Sequence, residues 1–356
     1  MLKILSQEQE MNMLTALPSA KDEDWRQFPL QKILKKSDFS VISSSFSLGT
    51  EIEPLETSLF EGADIPSSLL AYVREATDSY VALDVQKDSA IHLDIDGEAG
   101  AISMPHIQII VRKDCTLDLH ETLDTDNISW LCPLIEIVLE EGAKLNFERH
   151  DKAGKDVLVT DQLVVVLNTK AEAKLFNAKT DMAKSRFAAH VLCKGEGVRA
   201  DITGLCLTEG GALAESFIDI QHICAGTFSS QLYHAIVGGK AQSTYTGKVT
   251  VAREAQKTDA QQLSRGLLLS PMATNFVKPE LEIYADDVQC AHGATTGDLD
   301  EEALFYMRSR GLPENEAKRL LIEAFCAAPL SRLREDSLLK EMLEVGLKTK
   351  LEALLS

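Results

Sequence analysis

The chain has 356 residues, enough for two or three domains with a sizeable core, and its 45% hydrophobic content is ordinary for a soluble globular protein. A formal net charge of −19 argues against general nucleic-acid or anionic-membrane binding, which needs a basic patch. The lead MLKILSQE turns polar too soon for a signal peptide, and no apolar run approaches the ~20 residues of a membrane span, so a cytoplasmic protein is expected.

Residues 1–85 form the expected N-terminal helical and mixed region. QEQEMNMLTAL is helix-like, and KDEDWRQFPLQKILKK places Trp25, Phe28, Leu30, Ile33 and Leu34 near helical spacing, with Pro29 starting a new segment. Trp25 and Phe28 are expected in the core. Ser43–Ser45 and Gly49 mark a loop, and SSLLAYVREATDSYVALDV is a helix passing into a strand. No catalytic constellation occurs here.

Residues 86–298 change character. Short alternating runs such as AIHLDID, HIQIIVRK, TLDLHETL, DQLVVVLNT and VRADITGLCL imply strands with one buried face. Charged, small-residue corners recur at Glu140, Thr169, Lys194 and Gly238, roughly 25 residues or twice that apart. Quasi-repeats of this length point to a solenoid whose coils bury their faces by stacking. Asp96-Gly97 is the one candidate for a tight hairpin.

Residues 299–356 form a helical domain. Asp300–Arg310 has Asp298 as its expected N-cap and Gly311 as its left-handed stop. Pro313 opens a second helix that Pro329 ends, and REDSLLKEMLEVGLKTKLEALL is the third. The three helices are expected to cap the open end of the solenoid and to offer a docking surface.

Chemistry is densest between Leu281 and Leu312. A strand-like run from Leu281 through Val288 reaches Cys290 and His292, a glycine link follows from Gly293 to Gly297, and a helix begins. Cys290 and His292 sit two apart on a strand and so share a face, as do His222 and Cys224. Thiolate plus imidazole suits iron–sulfur, zinc or copper(I), but two ligands are an incomplete set that a second subunit would have to complete. His222 and Cys224 are expected as packed interior side chains. The other cysteines (Cys115, Cys132, Cys193, Cys206 and Cys326) form no C-x-x-C pair, and about five or six of the seven are expected as buried thiols. Gly195-Glu-Gly197-Val-Arg-Ala200 matches a dinucleotide fingerprint, but a strand-like run follows where a helix is needed. Asp286-Asp287 raises a carbohydrate-active β-helix enzyme as an alternative, although exposed acids on so acidic a chain are usually solvated surface.

QLYHAIVGGKAQSTYTGKVTVAREAQKTDAQQLSRGLLLS, KPELEIYADDVQCAHGATTGDLDEEALFYMRSRG and LLIEAFC, between Gln231 and Cys326, resemble the SufB/SufD family of iron–sulfur assembly proteins. The motif from Asp287 to Gly297 is similar to the SufD type. The resemblance implies a mainly β protein, with a right-handed parallel β-helix between an N-terminal α/β region and a C-terminal helical domain. It implies a scaffold that is not itself an enzyme, a heterodimer with SufB, and a SufC ATPase carried on the C-terminal helices, where Phe305, Tyr306, Arg308 and Arg310 would dock it. A transient iron–sulfur cluster or iron would be shared with SufB through His292, with Cys290 as its neighbour. Reduced flavin is implied for the complex, with no cofactor on the isolated chain, and a SufB-independent homodimer is the further alternative.

Overall fold

A computed structural model describes residues 3–4, 13, 15–37, 39, 41–43, 45–55, 57–77, 79–180 and 183–355. The helix-like run at 7–17 lies largely outside the described residues. From Tyr80 onward the chain alternates between two parallel sheets. The first sheet takes β1 (Tyr80–Val85), β3 (His106–Val111), β5 (Leu134–Leu139), β7 (Leu158–Leu167), β9 (Lys184–Cys193), β11 (Leu213–His222), β13 (Gln242–Val251) and β15 (Thr274–Ile283). The second takes β2 (Ser89–Asp96), β4 (Thr116–Leu123), β6 (Lys144–Asp151), β8 (Glu172–Lys179), β10 (Arg199–Thr208), β12 (Phe228–Val237), β14 (Asp259–Leu268) and β16 (Gln289–Gly297).

Each strand pairs in parallel with the strand two later, so the core is a β-solenoid. One coil advances by 26 residues (Leu158 to Lys184) to 32 residues (Gln242 to Thr274), slightly longer than the corner spacing suggested. Asp96-Gly97 makes no hairpin: β2 leads instead to Ala101–Ser103, which belongs to the first sheet. Inner side chains of the two sheets share one core, including Leu119, Phe147, Leu175, Ile137, Val165 and Val191. One corner is built from left-handed residues stacked on each other. Asp114, Gly142, Lys170 and Gly197 have φ of 58°, 69°, 57° and 69°. The amides of Asp114, Gly142 and Lys170 donate to the corner of the next coil at 2.8–3.0 Å. The Glu140, Thr169 and Lys194 motifs lie on this corner; the Gly238 motif lies on the opposite one, between β12 and β13.

The two outer faces are covered by different segments. The N-terminal segment packs on the first sheet, burying Trp25, Phe28, Leu30, Leu69, Leu70 and Val73 against Trp130, Leu158 and Leu192. Arg186 fastens it: its guanidinium lies 4.1 Å over the Trp25 ring, 5.1 Å from that of Phe217, and pairs with Glu215. Helix α1 (Leu30–Leu34) follows Pro29, and α2 (Ser68–Ala76) is capped by Ser67, whose side chain accepts from the Leu70 amide. Ser45 to Gly49, expected as loop, is a strand antiparallel to β2, and Leu55 bridges Ala82 on β1. Together they cover the first end of the solenoid.

Of the helices α3 (Glu301–Ser309), α4 (Glu314–Leu330) and α5 (Leu338–Leu355), the last two lie against the outer face of the second sheet, not over the open end, and α3 packs on α4. Ile322, Cys326, Leu330, Leu339, Leu343 and Leu347 cluster with Phe176, Leu205, Leu207, Ile236 and Leu267. The reason is spacing: these helix residues recur every three or four positions and match a wide apolar sheet face, which a solenoid end does not offer. Asp300, not Asp298, caps α3 by accepting from the Glu302 and Ala303 amides, and α4 continues through Pro329 to Leu330. Gly311 does take the left-handed conformation, with φ of 94°.

His222 illustrates a polar side chain trapped in the core. It is 1% exposed, and its two ring nitrogens contact Thr227 Oγ1 at 2.7 Å and Ser229 Oγ at 2.9 Å. Burial pulls its pKa down to about 4. The unfolded chain takes up the proton near ~6.5, so this residue's contribution to stability is full above that pH and is lost as pH falls toward the folded value. His222→Gln is expected to remove about 2 kcal/mol of the stability difference between pH 7.5 and pH 5, read as a smaller shift in the urea midpoint.

Candidate functional site

The solenoid ends at β15 and β16, the outermost strands of their sheets, and each leaves an unpaired edge. Leu281 and Cys290 do not share one strand. β15 stops at Ile283, residues 284–288 turn a corner, and β16 begins at Gln289. Gly293 and Gly297 lie within β16, so the expected glycine link is a strand.

Strand register explains what faces the open end. The inner position of Cys290 closes a column running Leu117, Leu145, Ala173, Ala200, Ser229, Ala260, Cys290. His292 closes the next: Leu119, Phe147, Leu175, Ile202, Gln231, Gln262, His292. That column is apolar for four coils and polar for the last three. Gln231 and Gln262 are 2% and 4% exposed, whereas His292 is open to solvent. Tyr245 donates its hydroxyl to Gln231 Oε1 at 2.5 Å, and Gln262 Nε2 donates to the Gly247 carbonyl at 3.2 Å. A Cβ at Gly247 would lie 2.7 Å from the Tyr245 hydroxyl, so only glycine leaves room for this arrangement. Asn275 Nδ2 donates to Thr296 Oγ1 at 2.9 Å, tying β15 to β16 across the end.

Cys290 is half-buried. Burial pushes its thiol above the ordinary range, partly offset by the Ala260 backbone. Among the described residues no group of three or more His, Cys, Asp or Glu side chains is placed to hold a metal. The end therefore presents a thiol and an imidazole on one inner face, with too few ligands for a closed site.

His222 and Cys224 do not make an equivalent pair. β11 ends at His222, and Cys224, beyond the strand, is half-exposed with its thiol donating to the Lys194 carbonyl at 3.0 Å. Four of the seven cysteines are buried, fewer than expected, because Cys115, Cys224 and Cys290 fall at corners or at the open end. Gly195 and Gly197 form a corner followed by β10, with no helix to receive a pyrophosphate. Asp286 and Asp287 sit on the corner before β16, where Asp287 pairs with Lys257, instead of facing each other across a groove.

Phe305 and Tyr306 on α3 are 73% and 58% exposed, and Arg310 stacks 5.1 Å from the Tyr306 ring. Arg308 reaches Glu314 at 3.5 Å. All four residues are exposed on the helical segment, separate in the fold from the inner face of β16.

A charged cluster inside the solenoid escaped the sequence reading. Arg149 is fully buried, contacts Asp161 and Glu121, and donates to Asn177 Oδ1 at 2.9 Å. Lys179 donates to Ser185 Oγ at 3.0 Å and the Glu215 carbonyl at 2.7 Å; burial, with Arg149 near, pulls it down to about 8. Burial and the adjacent Asp161 push Glu121 well above the carboxylate range. The signal was phase: in LNFERHD, Arg149 and Asp151 fall in step with the inward Leu145 and Phe147.

Among the described residues no helix is long and apolar enough to cross a membrane. The sequence model of the SUF system FeS cluster assembly SufBD core domain matches residues 93–325, more than half of the chain. Protein ABCI7, chloroplastic, of Arabidopsis thaliana is 30% identical over 273 residues, 74% of this chain and 56% of that protein. The iron-sulfur cluster assembly protein SufD of Escherichia coli is 37% identical over 149 residues, 42% of this chain and 35% of that protein. A SufBD family protein of Mycobacterium leprae is 26% identical over 340 residues, covering 89% of this chain and 86% of that protein. The match spans about a third to a half of the length of the first two. A parallel solenoid that ends in a Cys-x-His strand, with helices laid on its second sheet, is the architecture on which these matches fall, and the chain belongs to the SufBD family of SUF-system iron–sulfur cluster assembly proteins.

Proposed function

We propose that the chain is the SufD-type subunit of an iron–sulfur cluster assembly complex, a cytoplasmic scaffold and not a catalyst. The observation that carries this is the open end, where Cys290 and His292 share an inner face and lack the further ligands that a cluster needs. A SufB-type partner abutting the same end supplies those ligands, and iron or a nascent cluster is cargo held between the two subunits. His292 is the ligand or iron-binding group; Cys290, whose thiol is held protonated by burial, is its neighbour. The exposed Phe305 and Tyr306, with Arg308 and Arg310, carry a SufC-type ATPase on the helical face. The covered first end of the solenoid limits edge pairing to one side, which favours a two-solenoid assembly over a filament.

The test is reconstitution with a SufB-type partner, the ATPase, iron and a sulfur source. His292→Ala is expected to lower bound iron and the visible cluster absorbance by about tenfold, as for loss of one ligand contact, with the complex still assembled. Unchanged iron and absorbance would remove His292 from the chemistry.

A further inference from the structure

Pro329 lies in the last turn of α4. Proline has no N–H, so the carbonyl four residues earlier, on Phe325, is denied its helical donor. That carbonyl is nevertheless satisfied: His234 Nδ1 lies 2.8 Å from it, and the imidazole packs 4.4 Å from the Phe325 ring. His234 is 2% exposed on β12, 91 residues away in sequence. A carbonyl only accepts, so the ring carries its proton on Nδ1 and donates.

Within α4 the rest of the contact is apolar; beyond its end Arg332 lies 3.8 Å from Asp201, Arg334 donates to Asp118 at 2.7 Å and Ser337 Oγ donates to Glu148 at 2.8 Å. Ile322, Cys326 and Leu330 of α4 face Leu205, Leu207, Ile236 and Leu267. Apolar packing is non-directional, and a helix on such a surface can slide or roll at little cost. The His234–Phe325 bond is directional and sets one axial position for α4 itself, where the polar contacts beyond Leu330 hold the connection to the next helix. It also acts near the open end: His234 is in register with Arg265, and Arg265 with Thr295 on β16. Gln231, three residues earlier on the same strand, belongs to the inner column that ends at His292.

We propose that His234 is a positioning residue: by supplying the hydrogen bond that Pro329 withholds, it holds α4 at one setting against the strand that supports the open end. The part of this that concerns an ATPase rests on the reading given under Proposed function; the hydrogen-bond substitution does not.

Two measurements separate them. In the isolated full chain, His234→Phe keeps the ring and removes the donor, while Pro329→Ala gives the helix its own donor. His234→Phe is expected to speed amide exchange in the last turn of α4 by at least tenfold, and in the Pro329→Ala background by less than threefold. Equal factors in both backgrounds would overturn the hydrogen-bond assignment whatever the chain binds. In the complex of the full chain with the ATPase, the labelling rate of Cys290 by N-ethylmaleimide, mapped by mass spectrometry, is compared with and without a non-hydrolysable ATP analogue. The wild type is expected to change severalfold on adding nucleotide. The double variant, its helix hydrogen bonding restored, is expected to bind the ATPase and lose that response. A double variant that keeps the response, or a wild-type rate that ignores nucleotide, would sink the positioning role. Failure of the wild-type chain to bind the ATPase would instead refute the docking reading and leave the exchange result to decide His234.

Discussion

Replacing Arg149 by methionine is expected to destabilise the chain by about 3–5 kcal/mol, the cost of leaving buried charge without its partner. Arg149 has no exposed surface and projects from β6 into the solenoid, in register with Asn177 of β8. Its guanidinium contacts Asp161, Glu121 and Asp151 and donates to Asn177. Methionine has similar volume and fills the space, so the loss measures electrostatics more than cavity formation. Asp161 would be left facing Asp151 and Glu121, whose carboxyl burial and Asp161 already push well above the ordinary range, in a dry interior. Its own route to relief is protonation, which makes the variant regain stability as pH falls toward 5, opposite to the trend set by His222. Urea unfolding at pH 7.5 and pH 5 reads both. Arg149→Met combined with Asp161→Asn is expected to recover about 1–3 kcal/mol, because the two groups are directly coupled. High salt would not mimic the variant, since a buried pair is little screened.

Arg149 also marks where sequence and structure part. The alternation that exposed the strands treats a charged residue as outward-facing, and for most of β2 to β16 this holds. It fails where an Arg, Asp or Lys falls in the inward phase, and only cross-strand register shows that the inward columns of several coils bring such residues together. The solenoid, the succession of strands and helices, and the shared face of Cys290 and His292 were legible, because each depends on local period. The helices' resting place was not: an apolar stripe states that a helix packs, not on what. The corner at 284–288 did leave a signal: Leu281 and Ile283 stand on odd positions and Val288, Cys290 and His292 on even ones, so the alternation changes phase where the strand breaks. The change from Asp298 to Asp300 as the cap of α3 is of another kind. Both are aspartates before a helix, and only the side-chain bonds to the Glu302 and Ala303 amides choose between them.

The vacant edge of β16 makes the second large effect. The Gln289 amide donates inward to the Thr258 carbonyl at 2.9 Å. Parallel ladders alternate, so the amides of odd positions serve β14 while those of Cys290, His292, Ala294 and Thr296 face the empty side. Ala294→Pro removes an outward N–H and adds bulk at the edge, where proline is tolerated within a sheet. The isolated chain is expected to lose at most about 1 kcal/mol, and association with a SufB-type partner, or with a second copy, to weaken by roughly 100-fold. Thr295→Pro, one residue along, deletes an inward amide and is expected to behave in reverse, unfolding more readily by about 3 kcal/mol. Sedimentation of both variants with and without the partner distinguishes the two effects. If Ala294→Pro assembles as well as the wild type, the partner does not extend the second sheet, and the ligands missing at Cys290 and His292 must arrive over the face of the open end instead of along its edge. If it fails to assemble while remaining folded, the open strand that carries the Cys-x-His pair is also the strand that recruits the subunit completing it.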